Sequence, residues 1–242
     1  MADTETPVVL VHGAWHGGWC WEPFKPYLES RGLRPFAPDL PGHGQNRRPP
    51  EEVTLASYAE GIASVLDNLD EPAILVGHSM AGAVISEVAE RRPDRVRALC
   101  YVTAFLLPDG VPMTQRMKED SGSLAAGYVR RSPDGLSVEM PEEGLRAATY
   151  DGLSEALIAQ FVPRLQPQAI APMTTPVRLS PENFGRVPRA YIDCTRDKAI
   201  TIEMQRRMQG DLPCDPVLTL DCGHMAPWIE PDAVADFIAG LA

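Results

Sequence analysis

Ala73-Ile74-Leu75-Val76-Gly77-His78-Ser79-Met80-Ala81-Gly82 decides how the chain is built. A short apolar run ends in a serine among small residues, and a helical pattern follows. Strand, sharp turn and helix make a nucleophile elbow, in which a strained turn lifts the serine clear of a sheet. Gly77 falls near the crossing of strand and helix, where a Cβ would clash. The Met80 amide opens the helix and can face a developing oxyanion. One place departs from the G-x-S-x-G pattern. Ala81 stands where glycine is expected, and Gly82 comes one residue later.

Working outward, Pro7 to His12 reads as a buried strand, because it is a β-branched apolar run bounded by turn formers. The loop after it, Gly13 to Trp21, holds three glycines and three tryptophans. Glycines let backbone approach a ligand, and tryptophans supply rigid apolar walls. Glu22 to Ser30 reads as a helix and Leu33 to Pro38 as an edge strand carrying prolines. Thr54 caps a helix reaching about Leu69, with Leu55, Tyr58, Ile62 and Leu66 on one face. Beyond the elbow come a helix to about Arg92, a strand over Val96–Val102, a strand over Arg189–Cys194, a helix over Ile202–Met208, a strand over Pro216–Leu220 and a last helix over Asp232–Leu241. Strands alternating with helices predict an α/β fold, with a mostly parallel six-stranded sheet and helices on both faces. Between about 106 and 186 the alternation stops and nine prolines intervene, from Pro108 to Pro181. This stretch is too long for a plain loop and reads as a helical lid insertion. The expected organisation is one domain over 1–242.

Bulk properties narrow the function. The 242 residues carry a formal net charge of -11, which disfavours nucleic acid and anionic membrane as partners. The hydrophobic share of 44% is ordinary for a globular chain. Five scattered cysteines are not a disulfide framework, and the acidic start, Met1 to Thr6, lacks a leader pattern. The expectation is a cytoplasmic protein, monomeric or homodimeric.

The chemistry gathers after predicted strands, where open parallel sheets bind ligands. Ser79 follows the third strand, Asp197 the fifth and His224 the sixth. A serine hydroxyl needs a base to attack at neutral pH, and histidine can take its proton and return it. A carboxylate fixes the imidazole tautomer. Asp197 suits that role because it lies just past a strand end; Asp193 lies within a strand, Asp215 in a loop and Asp221 close before the histidine, while Asp109 competes from after the fourth strand. Ala14 and Met80 amides are the expected oxyanion donors. Gly13, Trp15, His16, His78 and Trp228 are expected around the substrate, with Trp19 as a further apolar wall. His12 is expected to brace its loop. No histidine set has metal-ligand spacing, so neither metal nor cofactor is expected.

Taken together, His12-Gly13-Ala14-Trp15-His16-Gly17-Gly18-Trp19, Gly77 to Gly82, Cys194 to Ile200 and Gly223-His224-Met225 resemble the α/β-hydrolase superfamily, and within it the plant methyl esterase and hydroxynitrile lyase branch with its bacterial esterase relatives. The resemblance runs along nearly the whole chain and implies the α/β-hydrolase fold and the chain order Ser, Asp, His. It implies Ser79 as nucleophile, Asp197 as acid and His224 as base. S-selective lyases of this branch carry threonine after the first loop histidine and lysine after the catalytic one. Here those places hold Gly13 and Met225. The expected function is therefore a carboxylesterase or methyl esterase acting through an acyl-serine on a hydrophobic small molecule, with an aromatic one as the narrower expectation. A tailoring enzyme of aromatic metabolites, a hydroxynitrile lyase and a non-catalytic ligand receptor stand as alternatives.

Overall fold

The computed structural model describes residues 5–242; Met1–Thr4, part of the acidic start read above for a leader, lie outside the described residues. The chain runs β1 (Thr6–Val11), α1 (Lys25–Glu29), β2 (Leu33–Phe36), α2 (Leu55–Asp67), β3 (Ala73–His78), α3 (Ala81–Arg91) and β4 (Val96–Val102). It continues through α4 (Met113–Glu119), β5 (Arg130–Arg131), β6 (Ser137–Glu139), α5 (Glu142–Gly144), α6 (Glu155–Phe161), β7 (Gln168–Ala169) and α7 (Ala171–Thr174). It closes with β8 (Arg189–Cys194), α8 (Ile202–Asp211), β9 (Val217–Leu220), α9 (Ala226–Ile229) and α10 (Pro231–Ala239).

Six strands form one sheet in the order β2-β1-β3-β4-β8-β9, and every pairing in it is parallel. β1, β3 and β4 read as unbroken apolar runs because both their faces are covered. Successive side chains alternate between two cores: Val9, Val11 and Leu75 pack with α2 and α3, while Val8, Leu10, Ile74 and Val76 pack with α1 and α10. β2 is an edge strand, which accommodates Pro35. Thr54 caps α2 in a reciprocal box with Ser57: each backbone amide donates to the other's hydroxyl, at 2.9 and 3.0 Å.

The first helix is shorter than its pattern. Pro23 and Pro26 break Glu22–Ser30, leaving Lys25–Glu29 after a 3₁₀ turn at Gly18–Trp21. The stretch between β4 and β8 also differs from the expected all-helical segment. Its helices are short, and β5, β6 and β7 form a separate antiparallel sheet. Pro163 and Pro176 stand just past the ends of α6 and α7 and stop them, and extended backbone between the short helices pairs with itself instead.

The strand order dictates where a site can form. From β1 the chain moves outward to β2, then crosses back to β3 and proceeds the other way. The carboxyl ends of β1 and β3 therefore flank the crevice at which the winding reverses. β1 pairs Val11 with Gly77, so the loop beginning at His12 and the turn at Ser79 emerge side by side.

Candidate active site

Ser79 adopts φ +57°, a left-handed conformation that costs a non-glycine residue about 1–2 kcal/mol. Three backbone hydrogen bonds hold it there. Its amide donates to the Val102 carbonyl at 3.2 Å, and its carbonyl accepts from Gly82 at 3.2 Å and Phe105 at 3.0 Å. The geometry also explains Ala81. A Cβ on Gly77 would lie 2.9 Å from the Ala81 carbonyl oxygen, and one on Gly82 only 2.4 Å from the Phe105 oxygen. The chain leaving β4 crosses α3 at residue 82, so the second obligatory glycine stands there, while Ala81 is fully buried without conflict.

His224 Nδ1 lies 2.7 Å from Asp197 Oδ2, and both side chains are buried. A carboxylate oxygen accepts, so Nδ1 carries the proton and Nε2 keeps its lone pair. The other carboxylate oxygen of Asp197 accepts from the amides of Ala199 at 2.7 Å and Ile200 at 3.0 Å. Gln205 Nε2 reaches Oδ2 at 3.3 Å. Thr103 Oγ1 sits 3.2 Å from His224 Nδ1 and donates to the His224 carbonyl at 3.3 Å, and His78 Nε2 donates to that carbonyl at 3.0 Å. The other carboxylates are elsewhere: Asp109 accepts from the Leu179 amide, Asp193 from Gln209 and Asp221 from Thr195.

Gln205 and Thr103 are supports that no motif announces. Gln205 is fully buried and also binds both the amide and the carbonyl of Cys194. Its signal was a glutamine among Met204 and Met208, on the apolar face of α8.

The loop after β1 is braced by imidazoles. His12 Nδ1 donates to the Gly13 carbonyl at 2.9 Å, and its Nε2 accepts from the Leu40 amide at 3.1 Å. His16 Nδ1 donates to the Ala14 carbonyl at 2.8 Å, and its Nε2 accepts from the Tyr150 hydroxyl at 2.8 Å. Burial holds His12 and His78 well below the ordinary histidine range and lowers His16 to about 4. These rings are neutral at neutral pH and act as hydrogen-bonding struts. Among the described residues, the amides of Ala14 and Met80 have no hydrogen-bond acceptor. Two unpaired amides at the reversal point beside a serine can donate to a negatively charged oxygen.

Ser79, His224, Ala14, Met80 and Trp15 line one cavity of about 50 Å³. Its other walls include Phe105, Met113, Met117, Met140, Met173 and Ile200, with Asp120, Ser123 and Thr149 as polar members. A larger hollow of about 370 Å³, between Pro41, Arg48 and Pro167, contains neither Ser79 nor His224.

Of the residues expected around the substrate, Trp15 faces this cavity; Gly13, His16, His78 and Trp228 do not line it. Gly13 lies against the serine, and a Cβ there would sit 3.1 Å from Ser79 Cβ. Trp228 turns to the back of the loop, donating to the Cys20 carbonyl at 2.7 Å and packing on Trp21 and His78. Trp19 packs on Phe161 and under the Arg164 guanidinium. Trp228 is half-buried, and the acceptor its indole N–H finds lies on the loop's far side. Among the described residues, no three His, Cys, Asp or Glu side chains gather as a metal site, and no helix is long and apolar enough to cross a membrane.

The model of a family described as the alpha/beta hydrolase family matches residues 8–237. A pyrethroid hydrolase of Sphingobium wenxiniae is 31% identical over 257 residues, covering 99% of this chain and 88% of the relative. Methylesterase 9 of Arabidopsis thaliana is 28% identical over 249 residues, covering 97% of each. A crystal structure of a pyrethroid hydrolase superposes with a TM-score of 0.88 at 30% identity, covering 98% of this chain and 97% of the other.

Proposed function

The chain belongs to the alpha/beta hydrolase family, and on that premise we propose that it cleaves a carboxylic ester of a hydrophobic small molecule through an acyl-serine intermediate. The observation that carries this reading is the buried 2.7 Å contact of Asp197 with His224, a histidine that lines the same cavity as a serine at φ +57°.

Ser79 Oγ attacks the ester carbonyl while His224 Nε2 takes its proton. Negative charge develops on the carbonyl oxygen and is met by the Ala14 and Met80 amides. These donors need no reorganisation, since no protein group occupies them. The intermediate collapses as His224 returns the proton to the departing alcohol. Water, activated by the same imidazole, then attacks the acyl group and releases the acid and free Ser79. Asp197 holds the productive tautomer throughout and stabilises the imidazolium. The stretch between β4 and β8 serves as a lid, contributing the methionine walls. Methionine is flexible and polarizable, so such walls suit an apolar acyl or alcohol group of irregular shape.

Two positions favour hydrolysis over cyanohydrin cleavage. At Gly13 a larger side chain would press on Ser79. Met225 is fully buried and apolar, so the place after the catalytic histidine offers no cation to a leaving cyanide. The resemblance to relatives named as a methylesterase and a hydrolase supports the same reading.

Ser79→Ala tests it. The expected result is a fall in kcat for an aryl ester of at least about 10⁴-fold, with no burst of alcohol release. Hydrolysis unchanged from the parent protein would sink the mechanism.

A further inference from the structure

Thr149 is the polar wall residue whose hydroxyl is unused. It is 6% exposed and lines the Ser79 cavity, and its Oγ1 is buried without a hydrogen-bond partner. The two other polar wall residues are committed. Asp120 accepts from both the amide and the hydroxyl of Thr201, at 2.9 and 2.6 Å. Ser123 donates to the Ala199 carbonyl at 2.7 Å. A threonine in a helical segment ordinarily satisfies its hydroxyl on a carbonyl one turn back. Here the local backbone is a π-helical turn over Leu145–Thr149, closed by the Tyr150 amide donating to the Leu145 carbonyl at 2.6 Å. Wide turns of this kind recur at functional positions. The same turn sets Tyr150 next to Thr149, and Tyr150 anchors His16 of the loop that carries Ala14. Thr149 is therefore held in register with the reacting centre.

An unpaired buried hydroxyl in an apolar wall is unfavourable unless an incoming group meets it. We propose that Thr149 determines specificity by donating a hydrogen bond to an ether or ketone oxygen of an otherwise apolar ester, at a point away from the ester carbonyl. An ether or ketone oxygen is matched by a single donor and brings no N–H or O–H of its own into the methionine-walled cavity. Its methylene counterpart would leave the Thr149 hydroxyl unpaired.

The proposal rests on Ser79 being the nucleophile, and the test separates the two. The probes are aryl alkanoate esters in which an ether oxygen replaces one methylene at successive positions of the acyl chain or the ring substituent. Each is compared with its all-carbon isostere as a ratio of kcat/KM values. At one position the parent protein is expected to prefer the ether ester by roughly tenfold. Thr149→Val should reduce that ratio to about one, while Thr149→Ser should keep it. Thr149→Val should also raise Tm, because it removes an unpaired hydroxyl, so loss of fold does not mimic the result. A ratio that is flat at every position in the parent, or the same in parent and Thr149→Val, overturns the proposal. Ser79→Ala is assayed alongside. If it is inactive while the ratios stay flat, the assignment of Thr149 alone fails; if it hydrolyses both esters as the parent does, the serine mechanism fails and the proposal with it.

Discussion

Replacing Asp197 by asparagine isolates the tautomer from the charge. In the parent protein Oδ1 accepts from two backbone amides, at 2.7 and 3.0 Å. An asparagine must place its own oxygen there, because its NH₂ would oppose two N–H donors. The NH₂ then faces His224 Nδ1, where Oδ2 stood at 2.7 Å. Facing a donor, Nδ1 must become the acceptor, and the proton moves to Nε2. The base is then protonated on the side it needs for Ser79. Gln205 Nε2, now opposite an NH₂ instead of a carboxylate oxygen, adds repulsion. The barrier should rise by about 5.5 kcal/mol, equivalent to a ~10⁴-fold fall in kcat. The assay is steady-state hydrolysis of an aryl ester, with circular dichroism to confirm the fold. Asp197→Glu, which keeps the charge but displaces the carboxylate, should be impaired yet more active than the asparagine variant. An Asp197→Asn protein that is folded and within tenfold of the parent would refute the reasoning.

Two further outcomes concern stability. Gly82→Ala should destabilise by about 3 kcal/mol, or ~6–12 °C in Tm at this size, because the new Cβ meets the Phe105 carbonyl at 2.4 Å; Ala81→Gly should lose no more than ~1 kcal/mol, so equal thermal melts for the pair contradict the explanation of the displaced glycine. His16 and His43 are each lowered to about 4 by burial. A depressed folded-state pKa means the unfolded chain binds more protons, so stability is present above about 6.5 and drains as pH falls toward about 4, by roughly 3 kcal/mol per group. Urea midpoints that stay level from pH 7 to pH 4.5 would contradict this.

The central sheet was legible because burial on both faces leaves no choice of residue. Val8–Val11, Ile74–Val76 and Leu99–Val102 are fully buried and read as strands without context. The Ser79 and Asp197 positions were legible because each follows a buried strand, and His224 because it follows the short apolar run of β9 at the sheet edge. The stretch from β4 to β8 was not. β5 and β7 are two residues long, and pairing on that scale depends on neighbours distant in sequence. His16, His78 and Trp228 could be placed near the site but not given a facing. A glycine-rich loop does not reveal which side chains turn inward; the acceptors that decide it are the Ala14, His224 and Cys20 carbonyls. Thr149 and Gln205 were illegible for a related reason, since a single polar residue has meaning only once its partners, or their absence, are known.

The hydrogen bond from Tyr150 to His16 is not the sole tie between the β4–β8 stretch and the loop after β1. Trp15 Nε1 donates to the Val138 carbonyl at 3.1 Å, and the Gln166 amide donates to the Trp15 carbonyl at 2.9 Å. A Cβ on Gly223 would lie 2.5 Å from the Asp151 carbonyl oxygen, so the same stretch also abuts the His224 loop. The β4–β8 stretch is thus mortised into the loops that carry Ala14 and His224. It cannot be exchanged for a relative's as a free-standing cassette. Any new covering must bring a hydroxyl for His16, a carbonyl for Trp15 and clearance for Gly223, which ties the range of molecules admitted to the machinery that cleaves them.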